Sequence, residues 1–214
     1  VRITCNVFAD IPGDVNPHAV HIEGSDVLNE IDNNIFSNLT GGILIRDTNN
    51  VIVAYNLFMD CKEVCEDTTS GLGAPRPIGG HTNDVHNLSV HDNIFFKPGR
   101  SAIEFTNARN NTDWNIYPLS PSPFSGFGGG GPFLRVKFPE PQEWHNLDSM
   151  REEYGWDKNG VMATIDGSLD PDKLELTLSV KGDVKPGPIY KGIDTDFFGH
   201  AVNGDRVPGP FADM

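Results

Sequence analysis

Five carboxylates are the groups of this 214-residue chain best suited to bond-breaking chemistry. Four of them crowd one segment, Asp60-Cys61-Lys62-Glu63-Val64-Cys65-Glu66-Asp67, and the fifth is Glu104. Two carboxyl groups roughly 5 Å apart can hydrolyse a glycosidic bond, one as nucleophile and the other as acid and base. Like charges at that distance push one pKa upward, which keeps a proton on the acid near neutrality. Three readings of the cluster stand side by side: a catalytic pair, a calcium site of oxygen ligands, and a solvated acidic face. On the first, Asp67 and Glu66 are the preferred catalytic residues and Glu104 is their partner.

Bringing Glu104 to the acidic segment requires a repeat, and the chain carries one. The phrases Asn6-Val7-Phe8, Asn34-Ile35-Phe36, Asn56-Leu57-Phe58, Asn93-Ile94-Phe95 and Asn115-Ile116-Tyr117 follow one another at spacings of 28, 22, 37 and 22 residues. A polar turn precedes four of them, and alternating runs such as Gly42-Ile43-Leu44-Ile45-Arg46 and Ala102-Ile103-Glu104-Phe105-Thr106 come after. Each period therefore holds three short strands. Such strands cannot bury an apolar face alone, whereas coils stacked at about 4.8 Å can. A period near 22 suits an all-β, right-handed, three-sheeted parallel β-helix better than a leucine-rich repeat, whose leucine framework is missing. Asparagines recurring at one turn predict a hydrogen-bonded ladder at a corner that needs left-handed backbone.

Aligning the coils on the repeated phrase superposes Gly42, Val64 and Ser101. Ile43, Cys65 and Ile103 then point inward, and Leu44, Glu66 and Glu104 form an outward column with His21 in the preceding rung. A register slip of one residue would turn every side chain over. The coil after Asn56 departs most from the repeat and inserts a stretch through Gly71, Arg76, Gly79 and His81, which reads as a binding loop over that column. His21, Arg46, Asp47, Arg76 and His81 are the candidate substrate-binding residues. His91 reads as plain surface and Trp114 as a packed ring.

The runs GILIRDTNNVIVAYNLF and NLSVHDNIF resemble coils of right-handed parallel β-helix carbohydrate-active proteins of the pectin-lyase-like superfamily. Asp113-Trp114-Asn115-Ile116-Tyr117, the stretch Trp144 to Asp157, and the tail Asp196-Phe197-Phe198-Gly199 with Pro208-Gly209-Pro210-Phe211 resemble the C-terminal part of bacterial β-helix glycoside hydrolases. The resemblance implies carbohydrate chemistry and a C-terminal cap.

Residues 1–118 carry the coils, 119–143 form a Pro/Gly-rich loop, and 144–214 supply a short helix, last strands and a closing tail. The helix is expected over 145–155, with Asp148 or Ser149 as its N-cap and Gly155 as its stop. Residues 161–180 return to strand. Because Val1 falls inside a coil, the solenoid is expected to continue upstream or in a companion chain. The three cysteines, Cys5, Cys61 and Cys65, close no disulfide framework and read as buried thiols. A net charge of −14 argues against nucleic acid as a partner and favours neutral over uronate polymers. No run of 18 apolar residues occurs, so no membrane span is expected.

Three functions follow. The first is a secreted or periplasmic glycoside hydrolase acting on a neutral or mildly substituted oligo- or polysaccharide, with no cofactor, although calcium remains compatible with the acidic segment. The second is a polysaccharide lyase, with Arg46, Lys62 or Arg76 as base. The third is a non-catalytic carbohydrate-binding β-helix.

Overall fold

The structure, a computed structural model, describes residues 1–11, 18–61, 63–68, 85–98, 101–119, 134–136, 142–144 and 146–212, with backbone alone for 63–68, 143 and 144. Strands β1 (Arg2–Thr4), β2 (Val7–Ala9) and β3 (His18–Glu23) make the first coil, and β4 (Asn29–Asp32), β5 (Ile35–Ser37) and β6 (Gly41–Arg46) the second. The third comprises β7 (Val51–Ala54), β8 (Leu57–Met59) and β9 (Glu63–Thr68), and the fourth β10 (Leu88–His91), β11 (Ile94–Phe96) and β12 (Ile103–Phe105). The last holds β13 (Asn111–Asp113), β14 (Ile116–Pro118) and β15 (Leu134–Val136). Then come β16 (Gln142–Trp144), helix α1 (Leu147–Tyr154), β17 (Val161–Asp170) and β18 (Glu175–Lys181). Every third strand pairs, giving a five-stranded sheet β1-β4-β7-β10-β13, a seven-stranded sheet β2-β5-β8-β11-β14-β17-β18, and a six-stranded sheet β3-β6-β9-β12-β15-β16. All pairs between coils are parallel. This is the expected solenoid.

The repeated phrase explains the stacking. Its aromatic residues Phe8, Phe36, Phe58, Phe95 and Tyr117 pile up inside at centroid separations of 5.0, 4.7, 5.4 and 5.3 Å. Each stacked pair contributes about 0.5–1.5 kcal/mol beyond area burial. Its asparagines form the ladder: the backbone N–H groups of Asn6, Asn34, Asn56 and Asn93 each donate to the side-chain oxygen of the next asparagine at 2.9–3.0 Å. The residue before each asparagine, Cys5, Asn33, Tyr55, Asp92 or Trp114, has φ between 54° and 60°. Left-handed backbone turns the chain there, and the ladder satisfies the donors that the corner would otherwise orphan.

Asp157, from outside the repeat, ends the ladder. Its fully buried carboxylate accepts from Asn115 N (3.1 Å), Thr112 Oγ1 (2.9 Å) and Tyr117 Oη (2.6 Å). Burial pushes this carboxyl up to about 6, and the hydrogen bonds hold it back from rising further. Asp157 follows α1, whose N-cap is Asn146 rather than Asp148 or Ser149. Asn146 is extended (φ −150°, ψ 155°) and its side chain accepts from Ser149 N, so Asp148 and Ser149 fall inside the first turn. Gly155, at φ 68°, stops the helix as expected.

The C-terminal tail runs back along the left-handed corner. Arg206, wholly buried, donates to Asn33 Oδ1 (2.6 Å), Thr195 O and Gly209 O (both 3.0 Å), and its guanidinium lies 3.8 Å above the Tyr55 ring. Gly187 exchanges backbone bonds with Arg206 at 2.8 and 2.7 Å and lies against Trp114. Nearby, burial pushes the Asp92 carboxyl up to about 8 despite Arg206, and its Oδ1 has no hydrogen-bond partner. His91 is not plain surface: its ring stacks on Tyr190 at 4.1 Å, and burial lowers its pKa. Cys61 is a buried thiol, raised to about 12 by desolvation, whereas Cys5 is exposed because it sits on the turn itself. Among the described residues no helix is long and apolar enough to cross a membrane.

Candidate active site on the third sheet

The outward face of the third sheet is set by period-two alternation. On β6, Ile43 and Ile45 are fully buried in the core, so Leu44 and Arg46 take the other face. The register then threads one column across five strands: His21 with Leu44, Leu44 with Glu66, Glu66 with Glu104, and Glu104 with Arg135. The core column beside it runs Val20, Ile43, Cys65, Ile103 and Leu134. Glu66 and Glu104 are thus direct neighbours on adjacent strands, about 4.8 Å apart at the backbone.

Residues 1–116 match the family described as a right handed beta helix region. The chain belongs to that family. Comparison with curated proteins and with solved structures finds no match. In this right-handed β-helix the parallel three-sheet architecture fixes which residues face one another, and the chemistry must be read from the face itself.

Glu104 is 6% exposed, and its Oε2 lies 3.4 Å from a terminal nitrogen of Arg135. Beside the column, one position further along the outward face, Glu23 pairs with Arg46, which pairs with Thr68. The Arg46 guanidinium lies 3.3 Å from the Glu23 carboxylate and 3.9 Å from Asp47, and His21 Nε2 lies 3.6 Å from Glu23. His21, Glu23, Arg46 and Asp47 therefore form one polar network next to the Glu66–Glu104 pair.

Not every candidate joins it. Asp67 shares its register position with Ile45, a core residue, and not with the column of Glu66 and Glu104. Glu63 shares its position with Gly41. Asp60 is an exposed corner residue at φ 51°, 3.8 Å from Lys97 Nζ, and turns the chain rather than facing the column. Arg76, His81 and Lys62 lie outside the described residues. Among the described residues no group of three metal-binding side chains is present.

Arg135 is the residue the sequence reading passed over. It lies in the stretch read as a Pro/Gly-rich loop, yet β15 extends the third sheet from inside that stretch. The signal was the alternation Leu134-Arg135-Val136-Lys137-Phe138, the same period-two pattern that identified the earlier strands.

Proposed function

We propose that this β-helix is a glycoside hydrolase cutting a neutral or mildly substituted oligo- or polysaccharide, with Glu66 and Glu104 as its carboxylate pair. The observation that carries the reading is their direct pairing on adjacent strands of one outward column. The spacing of about 4.8 Å between their backbones matches the carboxyl separation of roughly 5 Å that retaining enzymes use. Arg135, whose terminal nitrogen lies 3.4 Å from Glu104, orients that carboxyl; we give Glu104 the nucleophile's role and Glu66 that of acid and base. Asp67, at a core register position, is left out of the pair. His21 and Arg46 supply hydrogen-bond donors to sugar hydroxyls beside the reacting bond. The net charge of −14 selects a neutral glycan over a uronate polymer. We assign the activity to the secreted or periplasmic space, with no cofactor.

The test is release of reducing ends from a panel of neutral polysaccharides. Glu66→Gln and Glu104→Gln should each lower turnover at least about a hundredfold, as expected for loss of an acid–base or nucleophilic group. Asp67→Asn and added chelator should leave it nearly unchanged. Near-normal hydrolysis in both glutamine variants removes the assignment. The near-complete burial of Glu104 and its ion pair with Arg135 favour a second reading, a non-catalytic carbohydrate-binding face. Saturable glycan binding with no product in the unmodified protein would select it.

A further inference from the structure

Strand β18 ends the seven-stranded sheet, and its support is thin. Only Val161–Ala163 of β17 rest on β14; from Thr164 onward β17 pairs with β18 alone. A two-stranded ribbon is marginal in water unless further strands or packing complete it. One face of this ribbon is apolar, with Ile165, Leu169, Leu176, Leu178 and Val180. The tail covers that face incompletely, leaving an open groove of about 720 Å³ bordered by Leu176, Leu178, Val180, Phe198 and Phe211. Phe198 stays 65% exposed and Leu174 70%. Among the described residues no strand pairs with the outer edge of β18. That edge carries charge only at its two ends and contains no proline, so nothing in it discourages pairing.

The occupant is written in the strand itself. β18 reads Glu175-Leu176-Thr177-Leu178-Ser179-Val180-Lys181. We propose that β18 is a self-recognition edge that pairs antiparallel with β18 of a second copy of the chain, about a two-fold axis through Leu178. In that register Glu175 faces Lys181 of the partner subunit, Leu176 faces Val180 of the partner subunit, and Thr177 faces Ser179 of the partner subunit. Opposite charges, apolar pairs and hydroxyl pairs directly across strands are each stabilising. Other registers are penalised. A slip of one sets apolar residues opposite polar ones. A slip of two sets Lys181 opposite Lys173 of the partner subunit, or, in the other direction, Glu175 opposite Asp183 of the partner subunit. The correct pairing joins two marginal ribbons into one four-stranded sheet with a continuous apolar face. It is isologous, so it closes at two copies.

Sedimentation velocity of the full chain over a concentration series tests this. The unmodified chain should self-associate to a dimer. Lys181→Glu creates two like-charge pairs across the axis and should weaken the dimer about tenfold or more. The swap Glu175→Lys with Lys181→Glu restores two opposite-charge pairs and should recover the original affinity to within about threefold. Both positions are exposed, and unchanged circular dichroism confirms that each variant folds. A chain that stays monomeric up to its solubility limit overturns the proposal. So does a dimer indifferent to Lys181→Glu, or one the double swap fails to rescue. The test is independent of any glycosidase activity.

Discussion

Asn56→Ala strikes the asparagine ladder at its middle. The Asn56 side chain makes five bonds: it accepts from Asn34 N (2.9 Å) and Asn34 Nδ2 (3.1 Å) and donates to Ile31 O (2.9 Å), Ala54 O (3.0 Å) and Asn93 Oδ1 (3.0 Å). All of it is buried. Truncation leaves the Asn34 N–H without an acceptor in a dry interior, which costs about 1–3 kcal/mol. The two carbonyls and the Asn93 oxygen keep other donors but lose one each, so the whole change is about 2–5 kcal/mol. That is a large fraction of a domain's usual stability of about 5–15 kcal/mol. Asn6→Ala is the internal control. Asn6 is exposed and donates only to Thr4 O and Asn34 Oδ1, so water replaces what is lost and the cost stays below about 1 kcal/mol. Urea unfolding followed by circular dichroism reads both, and thermal midpoints should fall by roughly 5–15 °C and under about 3 °C respectively. Equal losses for the two variants would refute the reasoning, because they would show that the buried ladder is worth no more than a solvated amide.

The raised carboxyls predict a pH dependence of definite sign. For Asp92 (about 8) and Asp157 (about 6) the folded pKa exceeds the ordinary value of 3.8, so the folded state binds more protons than the unfolded. Their stabilisation is complete below about pH 4 and is lost as pH rises through about 6 and then about 8. His91, whose pKa burial lowers from 6.5, acts oppositely and costs stability on acidification. Asp92→Asn should therefore flatten the decline between about pH 6.5 and 8.5 in urea midpoints, and an unchanged slope counts against the burial argument. At the tail, a methyl on Gly187 would meet the Trp114 ring at 2.9 Å and force apart the bridge to Arg206. Gly187→Ala should cost about 1–3 kcal/mol and speed hydrogen exchange at Val202 and Arg206; protection at the wild-type level would show that the tail docks without this contact.

The coils were legible because their residues serve two purposes at one position. Asn56 and Phe58 mark the repeat in the sequence and also make the ladder and the stack, so aligning them aligned Ile43 with Cys65 and Leu44 with Glu66. The pairing of Glu66 with Glu104 followed from the same alignment. Asp67 was chosen for acidic density, and its register partner is the core residue Ile45, whereas Glu66 pairs with Leu44 and Glu104. Asp157 and Arg206 left no trace of their partners, since contacts with Asn115 and Asn33 join residues 42 and 173 positions apart and no period connects them. Arg135 was hidden by composition: glycine and proline around it signalled a turn, and the three-residue strand within was too short to outvote them.

The ladder's last acceptor has an evolutionary corollary. Each asparagine points its oxygen toward the preceding coil and takes its backbone order from the one ahead, so interior turns are interchangeable, while Asp157 closes the series whatever its length. Duplicating or deleting a 22-residue unit between Asn34 and Asn93 would leave the terminal cap untouched. The number of coils can thus drift without any change to the part that stops the winding.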